Sequence, residues 1–422
     1  MPKNISLAFN TGSSIIVKNC QVCGSSALKS ILFLGYLPPV NLMQNIGTRP
    51  FEQPSYPAEW LYCPKCSLVQ LGIIVDPKIL FPPEYPYTSS TTKVLRDNFS
   101  ELYFESNKLL GLKRDDLIVD IGSNDGNLLS NFKTSHRVLG VTPEQIGKIA
   151  IKNGIDTIID FFNPNSSGLI LKKYGRAKMV CATNVFAHME NIHEIIDQIK
   201  RILKPDGIFV SESHYLYSLI RTLQYDTIYH EHMRYYSLAS LQYLLSMHGL
   251  EVFHAKKIPS HGGSIRVYAA RRGKQKILPT VKKMLTMEKS LVTNKTNLLK
   301  FQERVTSSKL SILALLNQLK KRKKKIYGIG APSRASTLIN YVGIDDGMLD
   351  CVLEIGGSHK IGKYVPGTVI PVLDEEKLYR DQPDYAMLLS WHIAEELAPK
   401  IKAKGFRGDF IIPLPTARIF TI

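Results

Sequence analysis

Long apolar runs are missing from this 422-residue chain: no window holds eighteen consecutive apolar residues, so no membrane-spanning helix is expected. The opening stretch, MPKNISLAFNTGSSIIVKNC, has neither a continuous apolar core nor a small-residue cleavage site. Export is therefore not expected, and a cytoplasmic protein is. Acidic side chains are also in short supply, 36 against 54 basic ones, for a formal net charge of +18. Such a bias suits a nucleic acid or an anionic small substrate such as a sugar nucleotide. The excess is dispersed, however. Its densest run, KKRKKK at 320–325, closes a helical pattern just before a strand pattern, where the carbonyl end of a helix favours cations. Nucleic-acid binding asks for a clustered basic face, so nucleic acid is not the expected partner.

Cysteine is sparse too, six in all, yet four of the six fall into two C-x2-C pairs, Cys20/Cys23 and Cys63/Cys66. Two sulfurs from one tight turn can reach a single tetrahedral ion, and two such turns fill its coordination. Gly24, Pro64 and Lys65 beside them are typical of zinc knuckles. With every position taken by thiolate, none remains for water or substrate, so a structural Zn2+ is expected. Without an export signal, a pair of disulfides is not. Pro38, Pro39, Pro50, Pro54 and Pro57 lie between the pairs and predict a looped segment there. Cys181 and Cys351 sit in apolar, strand-like runs and read as buried thiols. At 44% hydrophobic residues, a chain of this length suits two or three domains, each with its own core. Residues 81–91, FPPEYPYTSST, follow as a proline-stiffened linker that either only connects or folds over an active site.

From Asp116 onward, strand and helix patterns alternate as a parallel sheet requires. A short buried strand over 117–121 runs into Gly122-Ser123-Asn124-Asp125-Gly126 and opens a helix at Asn127. Small residues there let the backbone approach a bound ligand closely, and Asp120 at the strand end suits a ligand carrying an amino group. The turn is neither G-x-G-x-x-G nor a Walker loop. Strand patterns follow at 137–141, 156–159 and 178–182, the last leading into Asn184-Val185-Phe186-Ala187-His188. A helix over 192–203 meets the turn Lys204-Pro205-Asp206-Gly207 ahead of a strand over 208–210. Next comes Tyr229-His230-Glu231-His232-Met233-Arg234-Tyr235-Tyr236, with one carboxylate, two imidazoles and three phenols in eight residues. Such groups serve proton transfer near neutral pH. The run also suits capping of a sheet. Two histidines holding a metal is the weaker alternative, because no third ligand stands at a known metal spacing.

Strands over 250–257 and 264–271, joined by Ser260-His261-Gly262-Gly263, would close the sheet with an antiparallel edge. Residues 278–320 have helical periodicity. Beyond them, Gly328-Ile329-Gly330-Ala331-Pro332-Ser333-Arg334 links a strand to a helix, a natural anion cradle in which backbone amides and an arginine would face a diphosphate. Later strands at 350–354, 385–390 and 409–412 suggest a second, smaller Rossmann-like layer.

The turn DIGSNDG resembles motif I of class I S-adenosylmethionine-dependent methyltransferases, and the turn LKPDG ahead of the fifth strand is similar to theirs. Together with the four cysteines, NVFAH, YHEH followed by YYSL, HGGSIRVY and GIGAPSR, it resembles the nucleotide-sugar C-methyltransferases, in the same order along nearly the whole chain. The resemblance implies an α/β protein of three parts. These are a zinc-binding module over 1–82, a class I methyltransferase (Rossmann-like) domain over 83–275, and a smaller Rossmann-like substrate domain over 276–422.

The same resemblance implies S-adenosylmethionine as cofactor, held by Asp120, Gly122, Ser123, Asn124, Asp125, Gly126 and Asn184. Thr142 stands where the class usually has an acidic residue for the adenosine ribose, and either it or Glu144 would make that contact. The implied reaction is C3-methylation of a nucleotide-diphosphate 4-keto-deoxysugar through an enolate. His232 would be the general base, with Glu231, Tyr229 and His188 around the ketone and a linker tyrosine, Tyr87 in preference to Tyr85, beside them. Ser264, Arg266, Gly330, Ala331, Ser333 and Arg334 would bind substrate, and a monomer is the working expectation. Two other readings remain: a methyltransferase acting on RNA, and a zinc-bearing scaffold without activity. Against the first, the chain has no N-P-P-Y motif for amino methylation and no Pro-Cys nucleophile for base-carbon methylation.

Overall fold

The computed structural model describes residues 13–81, 93–143, 145–292 and 295–422. Tyr85, Tyr87 and Glu144 lie outside the described residues. Among the described residues no helix is long and apolar enough to cross a membrane.

The N-terminal module is more regular than its prolines suggest. Strands β1 (Ser14–Ile16) and β5 (Ile73–Val75) pair antiparallel, while β2 (Lys29–Leu37), β3 (Tyr56–Tyr62) and β4 (Val69–Leu71) form an antiparallel sheet. The loop expected between the cysteine pairs is thus corrected to a long strand pair. Tyr56, Ala58, Trp60 and Tyr62 recur at a period of two and all are buried on one face, which specifies a strand. Pro38, Pro39, Pro50 and Pro54 fall in the β2–β3 connection. Pro57 enters β3 opposite Tyr36, where a register shift relaxes the ladder that a proline cannot donate to.

After helix α1 (Pro77–Leu80), helix α2 (Lys93–Leu110) leads to the middle sheet. Its strands and helices run β6 (Leu117–Ile121), α3 (Asn127–Ser130), β7 (Arg137–Thr142), α4 (Gly147–Lys152), β8 (Thr157–Ile159), α5 (Pro164–Lys173), β9 (Ala177–Thr183), α6 (Ile192–Ile202) and β10 (Leu203–His214). Helix α7 (Leu216–Arg221), strand β11 (Arg234–Tyr235), helix α8 (Leu238–Met247) and strands β12 (Leu250–Ile258) and β13 (Ser264–Arg271) complete this part. The sheet order is β12-β13-β10-β9-β6-β7-β8. From β10 to β8 every pair is parallel, and β13 and β12 add the antiparallel edge. The Lys204–Gly207 turn is taken up inside β10 as an irregularity between Leu203 and Ile208.

Strand β11 does not join this sheet. It pairs with β4, Arg234 opposite Gln70 and Tyr235 opposite Val69, so the histidine-rich run ends as a fourth strand of the N-terminal sheet. Trp60 seals the junction, with Tyr235 at 4.6 Å and Phe301 stacked at 5.7 Å between ring centres.

Helices α9 (Pro279–Lys289) and α10 (Lys295–Lys321) divide the long helical stretch. The third sheet follows: β14 (Ile326–Ile329), α11 (Ser333–Val342), β15 (Cys351–Glu354), β16 (Lys363–Tyr364), β17 (Pro371–Asp374), α12 (Glu376–Asp381), β18 (Tyr385–Leu388), α13 (Ala394–Ala403), β19 (Asp409–Ile412) and β20 (Arg418–Phe420). Its order is β16-β17-β15-β14-β18-β19-β20, with five parallel strands at the centre and an antiparallel strand at each edge.

Candidate active site

The four knuckle cysteines converge. Their sulfurs all lie within 4.8 Å of one another, with Cys20–Cys66 and Cys23–Cys63 at 3.4 Å each. A tetrahedral Zn–S4 centre with bonds of about 2.3 Å needs sulfurs about 3.8 Å apart, so the donor set fits the ion, and the spacing is far beyond a disulfide. The Gly24 amide donates to the Cys20 carbonyl and the Ser67 amide to the Cys63 carbonyl, which closes the two knuckles. The site is structural zinc, filled by thiolate alone. His193 of α6 touches it from the middle domain: Nε2 donates to the Val22 carbonyl at 2.8 Å, and Nδ1 meets His248 Nε2 at 2.8 Å.

At the carboxyl end of β6 the chain makes a tight, buried cradle. Gly122 and Gly126 have φ of +76° and +81°, and a Cβ on Gly122 would stand 2.3 Å from Val185 Cγ1. The backbone therefore lies against the segment after β9 with no room for a side chain. Asn124 and Asn184 also adopt left-handed backbone, at φ 51° and 59°. Asp120 Oδ1, Ser123 Oγ and Asn184 Oδ1 are buried without a partner. Burial, and then the Glu212 carboxylate, pushes the Asp120 carboxyl well above the usual range. Three orphaned side-chain oxygens, one of them the Asp120 carboxyl oxygen, are what a ligand with an amino group and hydroxyls would satisfy. The residues present therefore fit S-adenosylmethionine. Thr142 ends the neighbouring β7 and is buried there.

Beyond the cradle, four imidazoles form a file. His232 lies 4.9 Å from His188 on one flank and 4.9 Å from His214 on the other, and His214 is 5.5 Å from His261, all between ring centres. Tyr229 packs 4.2 Å from His232. His232 Nδ1 meets the Thr227 carbonyl at 2.9 Å. A carbonyl only accepts, so Nδ1 carries the proton and Nε2 keeps its lone pair. Burial, followed by the charge of His188, drives the His232 pKa well below its ordinary value, and burial holds His188 near 4. The imidazoles are neutral at physiological pH. Glu231 Oε1 accepts from Asn41 Nδ2 at 2.6 Å, which brings the N-terminal module into the site. His230 is buried against Tyr56.

His214 is not among the candidate residues of the sequence, and His261 stands there only as part of a joining turn. The signal for His214 was its place at the carboxyl end of a central strand, where α/β folds collect their ligands. For His261 it was the adjoining Gly262-Gly263. Both glycines have positive φ, and Cβ atoms on them would stand 2.5 Å from Gln224 Oε1 and 2.7 Å from Ser218 Oγ.

The residues expected to hold substrate have partners within the protein. Arg266 is fully buried, and its donors go to Glu212 Oε1 (2.5 Å), Glu101 Oε2 (3.2 Å), Glu105 Oε2 (2.8 Å) and the carbonyl and side chain of Asn98. Ser264 Oγ donates to the Ser260 carbonyl. In the C-terminal cradle the Gly330 amide donates to the Leu353 carbonyl and the Ala331 amide to Glu354 Oε2 at 2.8 Å. Ser333 starts α11, and Arg334 in its first turn is bonded to Asp226, Gln224 and His392. A carboxylate therefore occupies the amide expected to face a diphosphate. Lys360, whose Nζ donates to the Ala331 carbonyl at 2.6 Å, is the cation at that turn; burial lowers its pKa against the pull of Glu354 and Glu231.

A parallel sheet carrying this cradle at its strand ends defines a class I S-adenosylmethionine-dependent methyltransferase. Three family matches tile the chain: a zinc binding domain over 20–81, a methyltransferase domain over 92–255 and a C-methyltransferase C-terminal domain over 259–415. The C-methyltransferase NovU of Streptomyces niveus is 30% identical over 410 residues, 96% of this chain and 97% of that protein. The chain belongs to this C-methyltransferase family. Among solved structures, the plantazolicin methyltransferase BpumL in complex with SAH is 13% identical, spanning 43% of this chain and 86% of its own (TM-score 0.35). A methyltransferase from Clostridium acetobutylicum ATCC 824 is 12% identical, spanning 44% and 94% (TM-score 0.34). Both likenesses are too slight to bear on function.

Proposed function

We propose that this C-methyltransferase methylates C3 of a nucleotide-linked 4-keto-6-deoxyhexose, with His232 as the base. The observation that carries the reading is the His232 tautomer: Nδ1–H is committed to the Thr227 carbonyl, and Nε2 is left to accept a proton inside a buried, neutral cluster. A hydrogen beside a ketone is acidic enough for such a base to remove. Nε2 takes the C3 proton, and the C–H electron pair becomes the enolate, with charge on the C4 oxygen. His188 and Tyr229 beside His232 suit that oxygen as donors, because neutral N–H and O–H groups stabilise developing charge without prior ionisation. S-adenosylmethionine, when bound at the β6 cradle, supplies the electrophilic methyl group. Glu231, which accepts from Asn41, would bond a sugar hydroxyl.

General base catalysis is worth roughly 100- to 10,000-fold. The test is deuterium wash-out from C3 of a thymidine-diphosphate 4-keto-6-deoxyhexose, read by mass spectrometry with and without S-adenosylmethionine. Wash-out and methylation in the parent protein, both lost in His232→Asn, are expected. Neither signal across a panel of keto-sugar nucleotides would refute the proposal and bring RNA forward as substrate.

A further inference from the structure

Arg334 belongs to the C-terminal domain, yet its guanidinium is spent on the segment that leads into the histidine run. Nε and Nη2 donate to the two oxygens of Asp226, each at 2.8 Å, Nη2 also to Gln224 Oε1 at 3.1 Å, and Nη1 to His392 Nδ1 at 2.9 Å. Asp226 is fully buried and accepts a further bond from Trp391 Nε1 at 2.7 Å, and the guanidinium lies 5.1 Å from the Trp391 ring centre. The next residue, Thr227, is the one whose carbonyl holds His232 Nδ1. Gln224 reaches the other flank: its Nε2 donates to the Gly262 carbonyl at 2.7 Å, in the turn that carries His261 against His214.

We propose that Arg334 is a positioning residue for the catalytic base, fixing the tautomer and orientation of His232 by clamping Asp226 and Gln224. The C-terminal domain would then do more than hold substrate, since its docking makes the base competent. This inference rests on His232 being the base. A planar fork held at both oxygens of one carboxylate resists rotation of the 224–228 segment, and a single ammonium cannot replace it. If that segment relaxes, the Thr227 carbonyl leaves Nδ1, and the imidazole can shift its proton to Nε2, where it no longer acts as a base.

The test uses the full-length, zinc-loaded protein with Arg334→Ala, Arg334→Lys and Asp226→Asn. Turnover, C3 wash-out and the 15N–1H correlations that report the His232 tautomer are all recorded. Loss of a partner that orients a metal-bound histidine typically costs about 10- to 100-fold, and the same order is expected here. The expected result is a kcat and wash-out loss of that size in all three, with KM for both substrates little changed. His232 should lose its uniform Nδ1–H signature, and added guanidinium ion should partly rescue Arg334→Ala. A rise in KM for the keto-sugar with kcat intact would make Arg334 a substrate ligand and overturn the proposal. So would a His232 tautomer unchanged in Arg334→Lys, the mildest variant if Arg334→Ala fails to fold. Full wash-out in His232→Asn would instead remove the base itself, a failure separable from that of Arg334.

Discussion

Replacing Arg266 by leucine separates a substrate contact from a structural one. The guanidinium sits beside Glu212, itself fully buried on β10, and binds Glu105 and Asn98 of α2, so it ties that helix to the sheet. Removing one member of a buried pair leaves the other without its counter-charge, at a cost of about 3–5 kcal/mol. Asn98 Nδ2 alone would still bond Glu212, at 2.8 Å. Burial already raises the Glu212 pKa against the opposing pull of Arg266, so without Arg266 it rises further.

A carboxyl whose folded pKa exceeds its unfolded value is least costly when protonated. Its contribution is complete below the unfolded value of about 4.3 and is lost as pH rises through the folded value. The deficit of Arg266→Leu should therefore be larger at about pH 8 than at about pH 5. Burial pushes Glu105 up, while bonds from His254, Tyr268 and Arg266 hold it well below the usual range; the variant keeps the first two, so Glu105 is expected to stay outside this window. Urea denaturation followed by circular dichroism, read at the transition that includes the middle sheet, measures the loss. Adding Glu212→Leu should recover most of it. A loss below about 1 kcal/mol, with KM for the keto-sugar raised tenfold, would refute the structural role and restore Arg266 to the substrate.

Two further outcomes are expected. Cys63→Ser, or stripping the metal with a chelator, should release one zinc per chain and raise amide exchange at both 69–71 and 233–235, because β4 carries β11; unchanged exchange in the second segment would refute that link. Asp120→Asn should weaken S-adenosylmethionine binding about 10- to 100-fold by calorimetry while leaving zinc content intact, since a bond to a charged group is worth about 1.5–3 kcal/mol; an unaltered affinity would count against the cradle.

Much of the frame was legible because its determinants are local. The knuckle spacing, the apolar runs of β6, β7 and β9, and the turn after β6 each lie within a few residues, and the structure places those elements where the pattern put them. The β2–β3 pair was hidden because five prolines masked an alternation that only burial makes plain. The partners of the arginines were hidden for a different reason. Arg266 meets Glu212 across 54 residues, and Arg334 meets Asp226 across 108. An arginine beside a glycine turn looks like an anion ligand until a partner carboxylate arrives from elsewhere in the chain. His214 and His261 became visible only when strand ends from separate stretches met.

The pairing of β11 with β4 bears on how such proteins can be recombined. Residues 234–235 are distant in sequence from the strand that receives them, so a cut between β5 and α2 would strip the histidine-rich run of its backbone partner. A chimera that borrows the N-terminal module from a relative must import 226–237 with it. Trp60 meets both Tyr235 and Phe301, so a donor lacking a large aromatic there would leave a void where three segments join. The zinc module and the histidine-rich run are, in assembly terms, one interlocked part, and they should be inherited and engineered together.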